Sequence, residues 1–262
     1  MKKRQLKHLI LIMIGGLLLC GQLNWSTEAF AKSENFVLHP RLIVIFVDMS
    51  ASADQTRRTV CKEAFEKIYQ NLRQGDRVVV GTITSQSYID FKPTVDEEIP
   101  KKTVWDNRLQ FERALTNAKE KIRGEVNKLL AQKQGTPLTE ILDSLNIADI
   151  IFHDEKERQK ILVILSDMIE DSKEGKFDKD KITDEYITHV IRSRRKNNLI
   201  PNLARVRVYV AGASAADSDR FRAIETFWDR YLTESGADFS PHRYGHSLIN
   251  FENGSQVNQA PK

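Results

Sequence analysis

Two kinds of apolar spacing alternate along the chain. Leu42-Ile43-Val44-Ile45-Phe46-Val47 is unbroken and mostly β-branched or aromatic, which predicts a strand covered on both faces, as in a parallel sheet. Val78-Val79-Val80 within 77–84 and the run 161–165 read the same way. Val206, Val208 and Val210 alternate with Arg207 and Tyr209, which predicts a strand nearer the sheet edge. Helical stripes lie between these runs. Cys61, Phe65, Ile68 and Leu72 share one face of a segment over 54–73, which Gly75-Asp76 ends. Leu115, Ala118, Ile122, Val126 and Leu129 line a long helix over 105–132 that Gly124 interrupts. Leu138, Ile141, Leu145, Ala148 and Phe152 line the next helix. Ile182, Tyr186 and Val190 mark one over 179–196. Phe221, Ile224, Trp228 and Tyr231 mark a last one over 218–232, stopped by Gly236. Residues 88–91 read as a short partner to the second strand, the segment with Pro93 and Pro100 as a surface loop, and 238–250 as a weak final strand. Strands alternating with helices at this spacing predict an α/β fold with a doubly wound, mostly parallel central sheet flanked by helices.

The amino terminus changes how charge is read. Lys2, Lys3, Arg4 and Lys7 precede an apolar run from Leu9 to Leu19, and Ala29-Phe30-Ala31 offers small residues at a cleavage site. This order is that of a secretory signal peptide over 1–31, so an exported protein, periplasmic or secreted, is expected. Leu17-Leu18-Leu19-Cys20 leaves lipidation at Cys20 as a minor alternative, since Leu19 is not the small residue that such processing needs. A lead-in over 32–40, a domain over 41–250 and a polar tail over 251–262 follow. Of the 40 Lys+Arg and 36 Asp+Glu of the whole chain, residues 1–31 hold four and one, which leaves 36 against 35. Such a balance removes the electrostatic case for a nucleic-acid partner. The cluster Arg192, Arg194, Arg195 and Lys196 reads as a solvated helix end favoured by the dipole. Cys61 is the one cysteine after the signal, so the domain has no internal disulfide, and its register makes it a buried small hydrophobe.

The candidate chemistry sits where buried strands end. The first strand runs into Asp48-Met49-Ser50-Ala51-Ser52, and in such sheets ligands bind beyond the carboxyl ends of the strands. Gly135-Thr136-Pro137-Leu138 precedes a helix, and Ile164-Leu165-Ser166-Asp167 ends another apolar run. Oxygen donors of this kind suit a hard divalent cation. Singly, each has a plain structural reading. Ser50 or Ser52 can cap the following helix, Thr136 before Pro137 has the form of a cap, and Asp167 can serve a turn. Glu170, Asp171 and Glu174 read as a solvated acidic loop, and His39, His153, His189, His242 and His246 show no zinc-like spacing.

Taken together and in this order, Asp48-x-Ser50-x-Ser52, Thr136 and Asp167 resemble the von Willebrand factor type A domain with its metal-ion-dependent adhesion site. The resemblance covers about residues 40–235, with Met168 standing where the family often has Gly. It implies a Rossmann-like sheet and an Mg2+ or Mn2+ ion held by Asp48, Ser50, Ser52, Thr136 and Asp167. It further implies a binding module, not an enzyme, whose ion takes an Asp or Glu carboxylate from a partner protein. Ala211-Gly212-Ala213-Ser214 and Asp217 would then lie on the same face as a recognition rim. The rival reading is a metal-dependent phosphohydrolase of the haloacid-dehalogenase type using Asp48 and Asp167. Those enzymes place a general acid two residues past the first Asp, where this chain has Ser50.

Overall fold

The computed structural model describes residues 39–50, 55–85, 91–132 and 135–252. The signal-peptide and lipidation readings and Ser52 fall outside them. Residues His39–Lys262 form one compact unit, and among the described residues its core spans Leu42 to Phe251.

Six strands make one sheet in the order β3-β2-β1-β4-β5-β6. They are β1 Arg41–Asp48, β2 Arg77–Ile83, β3 Val95–Glu98, β4 Gln159–Leu165, β5 Val206–Ala211 and β6 Tyr244–Gly245. All pairings are parallel except β2 with β3. Every residue of β1 is buried, as its unbroken apolar run requires of a central strand. Among the described residues five helices cover the sheet: α1 Gln55–Gln70, α2 Arg108–Leu130, α3 Ile141–His153, α4 Asp184–Lys196 and α5 Ser218–Glu234. Cys61, Phe65 and Ile68 of α1 and Ile122, Val126 and Leu129 of α2 pack on one sheet face with Ile43, Ile45 and Val47. Leu142 and Leu145 of α3 and Phe227, Trp228 and Tyr231 of α5 pack on the other with Leu42, Val44 and Phe46. The two faces alternate along β1, as the period-two geometry of a strand demands.

The elements differ from the sequence reading where few apolar residues carry the signal. Strand β3 lies in the segment read as loop, since Val95 is its one buried residue and an edge strand needs little more. Residues 86–90, expected to hold most of a hairpin partner, lie outside the described residues. Phe91 is not in a strand and instead packs edge-on against Phe46, with ring centroids 6.0 Å apart. The weak final strand is two residues long, after a 3-10 turn at Pro241–Arg243. Helix α4 starts at Asp184, with Thr183 as its cap, rather than near 179. Packing also runs past 250. Phe251 is buried, and Glu252 accepts hydrogen bonds from Tyr209 and Arg207.

Candidate metal centre

The strand order reverses between β1 and β4, and a sheet of this kind opens its crevice there, beyond the strand ends. Asp48 is the last residue of β1, and Ser166 and Asp167 follow β4 directly. The Ser166 hydroxyl donates to Asp48 Oδ2 at 2.8 Å, which joins the two strand ends at the reversal. The Ser50 amide donates to Asp48 Oδ1 at 2.8 Å and turns the first loop back on its own carboxylate. Asp48 and Asp167 are only 4% and 3% exposed.

The second loop reaches the same place through its backbone. Ser50 and Thr136 form an isolated parallel bridge, and the Thr136 amide donates to the Met49 carbonyl at 2.9 Å. The Thr136 hydroxyl donates to the Leu138 carbonyl, so its proton is turned away and its oxygen lone pairs stay available. Thr136 is not a helix cap. Helix α3 begins five residues later, at Ile141, after Glu140, whose side chain makes no capping bond. The cap comes from the third loop: Glu170 Oε2 accepts from the Ile141 and Leu142 amides at 2.8 and 3.1 Å. This corrects the reading of Glu170 as part of a solvated loop, since it is 1% exposed. The Thr139 amide donates to the Asp171 carbonyl and the Asp171 amide to that of Thr139, both at 3.0 Å, so the second and third loops are stitched together.

Asp167 takes the Ile169 amide on Oδ1 at 3.0 Å and pairs through Oδ2 with Arg57, from the first turn of α1. Burial pushes its carboxyl up to about 6; the Arg57 guanidinium opposes this, and the Asp48 carboxylate adds to it. That last influence places the two carboxylates in each other's field. Cys61 feels both of them, and burial first and those charges second push its thiol up to about 12. A narrow cavity of about 20 Å³, room for one water-sized occupant, is lined by Asp48, Ser50, Arg57, Cys61 and Gly135 among others.

A fourth loop closes on this end. Gly212 has φ +102° after β5, and a Cβ there would stand 2.9 Å from the Ser166 carbonyl oxygen. The Ser214 amide donates to the Asp167 carbonyl at 3.2 Å. Ser214, Asp217, Phe221 and Arg222 border an open hollow of about 450 Å³. Asp217 itself caps α5 through the Arg220 amide.

The structure thus gathers Asp48, Ser50, Thr136 and Asp167 at one end of the sheet. Among the described residues no three His, Cys, Asp or Glu side chains cluster as metal ligands. Three participants escaped the sequence reading. Ser166 stood visible in the Ser-Asp doublet. Arg57 and Glu170 act on partners 110 and 29 residues away, and no local spacing announces them.

No family model and no curated protein matches the chain. Solved structures do resemble it. A von Willebrand factor type A protein from Catenulispora acidiphila shares 18% identity over 76% of this chain and 42% of its own, with a TM-score of 0.38. The manganese-loaded TRAP protein of Plasmodium vivax shares 10% over 79% and 68%, at 0.42. The PilB minor pilin of Streptococcus sanguinis shares 12% over 77% and 56%, at 0.48. The chain therefore spans about two fifths of the first of these and over half of the other two. Among known structures, the chain is similar to von Willebrand factor type A domains.

Proposed function

We propose that this chain is an exported protein-binding module of the von Willebrand factor type A kind, with a divalent cation at the Asp48 end of its sheet. The observation that carries the reading is the joining of three distant loops at one point: Ser166 to Asp48, and Thr136 to the Met49-Ser50 backbone. Asp48, Ser50, Ser52, Thr136 and Asp167 would hold the ion. Hydroxyls and carboxylates are the donors that Mg2+ and Mn2+ prefer. Two buried carboxylates in mutual repulsion, one with a raised pKa, gain from a cation between them.

Such an ion supplies a positive centre able to take a carboxylate oxygen from outside. The chain's own groups do the rest. Backbone amides of Ser50 and Ile169 orient the two carboxylates, Ser166 fixes the far oxygen of Asp48, and the Leu138 carbonyl sets the Thr136 hydroxyl. The Ser214–Arg222 hollow next to Asp167 offers a rim against which a partner's surface around its Asp or Glu would be read. For phosphoryl transfer, the position two residues past Asp48 lacks an acid, and Ser50 there gives its amide to Asp48 instead.

The test is binding of an Asp- or Glu-bearing peptide library to the immobilised chain with Mg2+, with chelator, and with Asp48→Ala. Retention that needs both the ion and Asp48 supports the reading. Retention indifferent to chelator, or turnover of a phosphate ester that Asp48→Asn abolishes, would replace it.

A further inference from the structure

The end of the sheet opposite Asp48 carries an exposed apolar turn. Parallel strands start there, and β3, running antiparallel, ends there with Glu98 beside Arg77. The chain then crosses this end over residues 99–107 before α2 climbs back toward the Thr136 loop. Residues 101–110 are all exposed. Within them Thr103–Asp106 is a turn closed by the Asp106 amide on the Thr103 carbonyl and by the Asp106 carboxylate on the Thr103 amide. Val104 and Trp105 occupy its two central positions and are 94% and 93% exposed, with Leu109 at 69% one helical turn on. Among the described residues, Ile150 near the end of α3 and Ile249 are the other strongly exposed large apolar side chains. The Leu248 carbonyl beside Ile249 is held by Lys67, in the last turn of α1.

The charge on this surface points to its occupant. Lys101 and Lys102 lead directly into the turn, while the nearby acids Asp96, Glu97 and Glu98 are paired with Arg77, Lys121 and Arg158. This is also where the chain enters the domain. A Cβ on Gly75 would lie 3.3 Å from Pro40 and 3.8 Å from Lys101, so the entering strand and the basic turn are neighbours. Exposed Trp with Lys beside it is the arrangement of a side chain that seats at a bilayer interface: the indole among headgroups, the ammonium groups on anionic lipid.

We propose that the Lys101–Leu109 turn is a docking surface for an anionic membrane, which would aim the Asp48 end away from the bilayer. The assignment stands independently of any ion at Asp48. Among the described residues no helix is long and apolar enough to cross a membrane.

The test uses residues 32–262, which contain the whole core and only two tryptophans, Trp105 and the fully buried Trp228. The chain is mixed with phosphatidylcholine vesicles, with or without phosphatidylglycerol, and followed by co-sedimentation and tryptophan emission. The expected result is a blue shift and sedimentation with the anionic vesicles only. Trp105→Ala should abolish the shift and weaken binding about tenfold. Lys101→Gln with Lys102→Gln should weaken it about thirtyfold. All three side chains are exposed, so the variants keep the fold, which the Trp228 emission reports. No binding to anionic vesicles, or binding that Trp105→Ala leaves unchanged, overturns the assignment. Self-association lost in Trp105→Ala, without vesicle binding, overturns it in favour of a protein contact.

Discussion

Each end of the sheet buries carboxylates, and the two ends satisfy them in opposite ways. At the end where the strands begin, Asp76 and Arg41 are both fully buried. Asp76 accepts from the Arg41 guanidinium, from the Arg41 amide and from the Arg73 amide at 2.8 Å. At the other end Asp48 is held by an amide and a hydroxyl, and Asp167 by an amide and by Arg57, whose side chain is still 15% exposed. A charge closed by a buried guanidinium is part of the framework. A charge held by neutral donors with a cavity beside it, as at Asp48, is one that a cation would stabilise.

The contrast breaks most visibly in stability. Asp76→Ala strands Arg41 in the core and should cost about 3–5 kcal/mol in urea unfolding. Asp48→Ala, which removes only neutral donors' acceptor, should cost about 1–2 kcal/mol. Equal losses would mean that both ends are framework.

Glu170 comes next. Burial pushes its carboxyl up to about 8, against the two α3 amides and Arg194, which favour the charged form. Folded, it binds its proton more tightly than when unfolded. The stability from that proton is complete below about 4.5, the ordinary value, and is lost as pH rises through about 8. Urea midpoints should therefore fall across that window, and Glu170→Gln should flatten the fall. Glu170→Ala should cost about 1–2 kcal/mol by uncapping α3.

A smaller effect concerns Arg57. Arg57→Met removes the guanidinium that would compete with the proposed ion for Asp167 and should tighten Mg2+ binding several-fold. Proton competition at Asp167 should weaken that binding below about pH 6. The smallest is at Cys61. With its thiol pushed up to about 12, a thiol reagent at pH 8 should label it no faster than the chain unfolds.

What could be read from the chain beforehand divides along physical lines. Strands β1 and β4 declared themselves because both of their faces are buried, and the oxygen motif followed from where those runs stop. Arg194 did not. Among four neighbouring cations it is the one 1% exposed, bonded to Asp143, Glu174 and Asn146. A run of charges read as a solvated helix end carries no sign of which member turns inward. Strand β3, with a single apolar residue, and Glu170, capping a helix from another loop, depend in the same way on contacts far along the chain. The Trp105 turn was hidden differently, since its residues passed for the start of an amphipathic helix.

The most direct measurement is calorimetric titration of residues 32–262 with Mg2+ and Mn2+, beside Asp48→Ala and Thr136→Ala. One site that either substitution abolishes is the predicted result. No heat from the unaltered chain, or a site that survives both substitutions, would contradict convergence of the three loops on a single ion.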